Sequence, residues 1–167
     1  MPTHKAIICE TVGSINNIML KTVPSLDLMQ GFARVKVKAA GVNYPDKLML
    51  EGKYQYKPQV PFTPGLEVSG LISDINGGSD FKIGDRVSCI MRSGGYSEEV
   101  VVPIESLNAI SDGFSYEEGA TFRVASQTAY VALIDQAKLK KGESLLVLGA
   151  SGGVGSAAIK IGSAVGA

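Results

Sequence analysis

The segment Gly149-Ala-Ser-Gly-Gly-Val-Gly155 carries the plainest chemical signal in this chain. It follows Ser144-Leu-Leu-Val-Leu148, a short, continuously apolar run of the kind expected of a strand buried on both faces. It leads into small and apolar residues from Val154 to about Val165, which read as a helix with Gly166 as its C-terminal cap. Strand, glycine-rich turn and helix start are the parts of a pyrophosphate site. Glycine lets the main chain approach the phosphates, and the helix start supplies free amides and a partial positive charge. Ser151, Gly152, Gly153 and Val154 are the residues whose amides would meet the phosphates. The string departs from strict G-x-G-x-x-G, because Ala150 stands where the first glycine would be. The alternative is a tight strand-to-helix turn whose glycines only permit close packing.

The elements that must position such a loop change character along the chain. Up to about residue 110, Gly and Pro separate short runs rich in Val and Ile, which predicts strands joined by turns. The expected strands are 5–10, 18–23, 33–42, 67–75, 86–90, 96–103 and 107–110. In Arg34-Val-Lys-Val-Lys38 charge and valine alternate, the mark of a strand with one wet face. Ser115-Tyr-Glu-Glu118 then fits a capping box, and residues 120–137 support helix, with a break expected near Ser126. A β-rich domain over 1–115 is therefore expected to pass into helices and an α/β unit over 116–167. A ribose-reading residue belongs about 20 residues beyond the first glycine, yet the sequence stops at Ala167. The α/β unit is thus expected to be the beginning of a larger one, in the front portion of a longer protein.

Composition narrows the function classes. Among 167 residues, 45% are apolar or aromatic and 19% charged, which suits a globular core and not a disordered chain. Sixteen basic residues balance sixteen acidic ones, so no global field favours nucleic acid or an anionic membrane. Cys9, Cys89 and His4 are too few for a disulfide scaffold or a conventional protein zinc site. No run reaches the ~20 apolar residues of a membrane span, and the first ten residues lack the long apolar core of a secretory signal. A reduced, cytoplasmic setting is the expectation.

The order of motifs resembles the medium-chain dehydrogenase/reductase superfamily. The features are the β-rich start, Gly84-Asp-Arg-Val87, Gly94-Gly-Tyr-Ser-Glu98, Thr128-Ala-Tyr130 and the glycine loop. The segment from Ala39 to Glu67, with Gly41-Val-Asn-Tyr-Pro-Asp46 and Pro64-Gly-Leu-Glu67, is similar to the zinc-independent quinone oxidoreductase branch. The resemblance covers essentially the whole chain. It implies a GroES-like, partly open β-barrel followed by the first strand and helix of an incomplete Rossmann domain. It also implies NADPH as cofactor, hydride transfer to a quinone, and a substrate cleft between the domains. A homodimer is implied for the full-length protein.

Zinc-dependent relatives place a Cys where this chain has Asn43, a His where it has Leu66 and a third ligand near Val124, none of which is a good zinc ligand here. No metal is expected. The resemblance keeps the family's Glu and Asp as Glu67 and Asp46, expected to organise hydrogen bonds. Asn43 and Tyr54 are nominated as the polar groups facing the nicotinamide or substrate, where neutral donors would stabilise charge on the quinone oxygen. The competing readings are backbone capping before Pro45 for Asn43, and a loop aromatic for Tyr54. Thr128 is implied near the nicotinamide end; its competing reading is a hydroxyl bonded back to its own helix. Two other functions fit the same residues: an enoyl or alkenal reductase, and a non-catalytic GroES-like module kept for structure or cofactor sensing. The 167-residue chain alone is expected not to turn over.

Overall fold

The structure is a computed structural model that describes residues 2–167. The chain divides into two compact units, Met1–Thr121 and Phe122–Ala167.

The first unit is built on strands. Strands β1 (Thr3–Cys9) and β2 (Ile18–Pro24) form an antiparallel pair. Five further strands are β3 (Phe32–Gly41), β4 (Glu67–Asn76), β5 (Arg86–Ile90), β6 (Glu99–Pro103) and β7 (Leu107–Ala109). They make an open antiparallel sheet in the order β6-β3-β4-β5-β7. Isolated bridges from Ala6 to Ser97 and from Cys9 to Phe62 tie β1 to the loops around this sheet. The expected alternation in β3 is present: Ala33 and Val35 are buried, while Lys36 and Lys38 are exposed. Ala33 and Val35 join Val68, Ile72, Val87, Cys89, Val100, Val102 and Leu107 in one apolar core. Cys89 is buried within it, as an inert thiol would be.

Two features of this unit differ from the sequence expectation. The strand predicted from residue 96 starts only at Glu99, because the residues before it bond elsewhere. Tyr96 N–H donates to the Pro64 carbonyl at 2.9 Å, and Glu98 N–H donates to the Lys5 carbonyl at 2.9 Å. A short helix not anticipated from sequence, α1 (Tyr44–Leu50), fills the span after β3. Its buried Met49 and Leu50 pack with Cys9 and Phe62 in a second small core.

Helix α2 (Tyr116–Thr121) starts as predicted. Ser115 N–H donates to Glu118 Oε2 at 2.8 Å, and Glu118 N–H returns to Ser115 Oγ at 3.1 Å. Its Gly119 and Ala120 are buried in the first unit, where a Cβ on Gly119 would lie 2.6 Å from Ile110. Helix α3 (Arg123–Tyr130) and a π-helical turn over Val131–Gln136 belong to the second unit. The break expected near Ser126 therefore falls at Phe122 instead. Ala120 is buried within the first unit, whereas Ala129 is buried with Ala157 and Ala158 in the second.

The second unit packs α3 on α4 (Gly153–Val165). Gly166 caps α4 with φ 86°, and its N–H donates to the Gly162 carbonyl at 3.0 Å. The predicted strand at 144–148 is corrected: no strand is formed there, and the run ends in a turn at Leu148. A ladder needs a hydrogen-bonded neighbour, and none of the described residues supplies one. Burial is also one-sided. Val147 packs against the alanine core, while Leu146 and Leu148 are 85% and 86% exposed.

Candidate functional site

In the first unit, polar groups gather where β3 ends and α1 begins. Gly41 and Glu67 are cross-strand partners at the matching ends of β3 and β4. A Cβ on Gly41 would lie 2.9 Å from Glu67 Cγ and Oε1 and 2.2 Å from the Ala120 carbonyl oxygen. Glycine here is what allows a buried carboxylate to lie over the strand. Two residues on, Asn43 is the N-cap of α1 with extended backbone. Its side-chain Nδ2 donates to Glu67 Oε1 at 3.2 Å.

Asp46, in the first turn of the helix, is the hub of the cluster. Its carboxylate accepts from Asn43 N–H at 2.8 Å, Gly65 N–H at 3.1 Å and the Tyr96 hydroxyl at 2.9 Å. Asp46 and Glu67 are each only 2% exposed. Burial pushes the Asp46 carboxyl above its ordinary range, and the three donors pull the other way. Burial, together with the adjacent Asp46 charge and hydrogen bond, pushes the Tyr96 phenol well above its ordinary range. Asp46 and Glu67 thus serve as hydrogen-bond organisers around Asn43 in the first unit.

Tyr54 is half-buried, and its ring packs on the Cys9, Met49, Leu50 and Phe62 core. Tyr56 packs on the same core under the Arg92 guanidinium, 5.6 Å from the ring centre, and Tyr44 is 69% exposed. Leu66 joins that apolar cluster. Among the described residues no group of three His, Cys, Asp or Glu side chains could hold a metal ion.

The second unit holds the glycine loop. Gly149 takes φ 70°, a left-handed turn that favours glycine, and Gly152 N–H donates back to its carbonyl at 3.1 Å. Gly152 is the N-cap of α4, and Ser151, Gly152, Gly153 and Val154 are exposed. First-turn amides of a helix have no intrahelical acceptor. A Cβ on Gly155 would come within 2.2 Å of the Gly149 oxygen and 2.8 Å of Ala150 Cα, so this turn closes only with glycine. Exposed amides, a helix start and a cradle that a Cβ would fill suit a pyrophosphate. Thr128 lies in α3 with its hydroxyl donated to the Val124 carbonyl at 2.6 Å; its oxygen retains acceptor capacity only.

Residues not singled out from the sequence as site components are Gly41, Gly65 and Tyr96. A signal for α1 was present, since Asn43 is followed by Pro45 and by an acid at the third helical position.

Residues 30–112 match the alcohol dehydrogenase GroES-like domain. A synaptic vesicle membrane protein VAT-1 homolog of Rattus norvegicus is 35% identical over 163 residues, covering 96% of this chain and 40% of the relative. The quinone oxidoreductase of Lama guanicoe is 44% identical over 129 residues, 76% of this chain and 39% of that protein. The quinone oxidoreductase of Thermus thermophilus, whose crystal structures include a complex with NADPH, has a TM-score of 0.86 and 33% identity, over 97% of this chain and 50% of that one. The chain spans about two fifths of the length of these curated relatives. The domain match, the relatives and the solved structure agree: the chain belongs to the medium-chain dehydrogenase/reductase superfamily and is related to its quinone oxidoreductases.

Proposed function

We propose that this chain is part of an oxidoreductase that takes hydride from NADPH and delivers it to a quinone without using zinc. The observation that carries the reading is the glycine loop at the start of α4, closed so tightly at Gly155 that only glycine fits. The second unit supplies that loop, where Ser151, Gly152, Gly153 and Val154 would hold the pyrophosphate through their amides. When bound, NADPH supplies the hydride.

The first unit supplies Asn43 and Tyr54 as neutral polar groups for the nicotinamide or for the acceptor oxygen, where charge develops as hydride arrives. The choice of NADPH and of a quinone is supported by the quinone oxidoreductase relatives and by the relative solved with NADPH. The zinc-free reading is supported by Asn43, Leu66 and Val124 standing where zinc-dependent relatives carry ligands. Thr128 is assigned to the nicotinamide end, as an acceptor rather than a donor because its hydrogen is already committed.

The experiment compares kcat/KM of the full-length gene product for a quinone and for an enone at fixed NADPH, with and without a metal chelator. The proposal expects quinone turnover at the higher kcat/KM and no change with chelator. Preference for the enone would move the assignment to double-bond reduction. Loss of activity with chelator would overturn the zinc-free reading. Absence of turnover with either acceptor would favour the non-catalytic alternative.

A further inference from the structure

We infer that Glu67 is a positioning residue whose carboxylate fixes which way round the Asn43 side-chain amide is held. An ionised carboxylate only accepts hydrogen bonds, so at 3.2 Å it can pair with Nδ2 of Asn43 but not with Oδ1. Flipping the amide would set two acceptor oxygens against each other. The Nδ2 side is therefore committed to Glu67, and Oδ1 faces the Asp46 N–H in the capping box of α1. Asn43 offers a ligand the second lone pair of Oδ1 and one remaining N–H. That edge accepts a hydrogen bond from a hydroxyl or amide donor and can return one.

Both ends of the contact are fixed by the fold. Glu67 is 2% exposed, begins β4, and lies over Gly41, where any Cβ would strike its Cγ and Oε1 at 2.9 Å. The Asn43 main chain is pinned independently, because its N–H donates to Asp46 Oδ2 at 2.8 Å. An amide held in this way loses no further rotamer freedom when it meets a ligand, which is how a supporting group improves binding without touching the ligand. The part of the inference that concerns a ligand rests on the assignment of Asn43 under Proposed function; the hold on the amide does not.

The experiment has two readouts. The first is the Asn43 side-chain amide in proton–nitrogen correlation spectra of this chain. One of its two protons is expected downfield and protected from solvent exchange in the native chain. In Glu67→Gln, an isosteric neutral variant, it is expected to move upfield and exchange faster. An Asn43 proton that exchanges freely in the native chain overturns the inference whether or not the variant folds, and so do identical signals in a folded variant.

The second readout is steady-state kinetics of the full-length product. Glu67→Gln is expected to lose about tenfold in kcat/KM, the effect of one misdirected hydrogen bond. Asn43→Asp sets two carboxylates against each other and is expected to lower the melting temperature. Adding Glu67→Gln to it restores the hydrogen bond with donor and acceptor reversed and is expected to recover the melting temperature but not the activity. A purely structural pair would recover both, which would overturn the positioning role. If Glu67→Gln moves the amide signals while kinetics stay unchanged, the hold on Asn43 stands and the assignment of Asn43 to the ligand falls.

Discussion

The Tyr96 hydroxyl donates to the buried Asp46 carboxylate across 2.9 Å, joining the loop before β6 to the first turn of α1. Two main-chain donors, Asn43 N–H and Gly65 N–H, share the same carboxylate. Removing one of three donors from a buried acid costs roughly 1–3 kcal/mol. Tyr96→Phe is therefore expected to lower stability by an amount in that range, read as a shift in the urea midpoint without a change in slope. Tyr96→Phe with unchanged stability would mean that the phenol does not support the cluster.

The same contact has a pH signature. The folded-state pKa of Tyr96 is raised, first by burial and then by the Asp46 charge and hydrogen bond. The folded state thus holds the phenolic proton more tightly than the unfolded chain does. Its contribution to stability is complete below the unfolded value of about 10 and is lost as pH rises toward the folded value. Stability is expected to fall above about pH 10, and more shallowly in Tyr96→Phe. Urea midpoints measured across the alkaline range check both statements.

Gly41→Ala is the sharpest test of the strand-end geometry. A methyl there would meet the Ala120 carbonyl oxygen at 2.2 Å, and main chain cannot yield as a flexible side chain can. The expected cost is about 3 kcal/mol or more, measured by denaturant unfolding. Near-neutral behaviour would show that α2 and β3 are not packed as closely as described.

Two glycines of the loop are expected to behave differently. A Cβ on Gly152 lies in ordinary contact, 3.4 Å from the Gly149 oxygen, and its φ of −77° suits any residue. Gly152→Ala should keep the fold, and the added methyl should weaken the approach of a pyrophosphate. Gly155→Ala would force the turn open, since its Cβ meets the same oxygen at 2.2 Å. It should lower the melting temperature as well as dinucleotide affinity. Equal effects of the two substitutions on melting would contradict this division.

Leu146 and Leu148 are 85% and 86% exposed, so the chain gains little from them. Replacing both with Ser should change stability by no more than about 0.5 kcal/mol and should reduce self-association, measured by sedimentation. A large loss of stability would show that these side chains are packed after all.

The elements legible in the sequence were those written in local pattern. The bounds of β5 at Arg86–Ile90, the alternation in β3 and the Ser115–Glu118 box all follow from neighbours within a few residues. The segment at 144–148 was misread because hydrophobic run length reports burial, whereas a strand requires a partner. Helix α1 is hard to read from sequence because it is only seven residues long and the capping signal at Asn43, followed by Pro45, equally suits a local turn. The cluster around Asp46 was out of reach. It depends on the β3–β4 register that sets Gly41 against Glu67, and on Tyr96 reaching an acid fifty positions away.

The most direct test of the central claim is a fluorescence titration of NADPH with the full-length gene product, repeated with Gly152→Ala. The account predicts saturable binding in the native protein and clearly weaker binding in a variant that melts at the same temperature. No binding of NADPH or NADH by well-folded native protein would contradict the reading of Gly149–Gly155 as a pyrophosphate loop, and with it the oxidoreductase assignment.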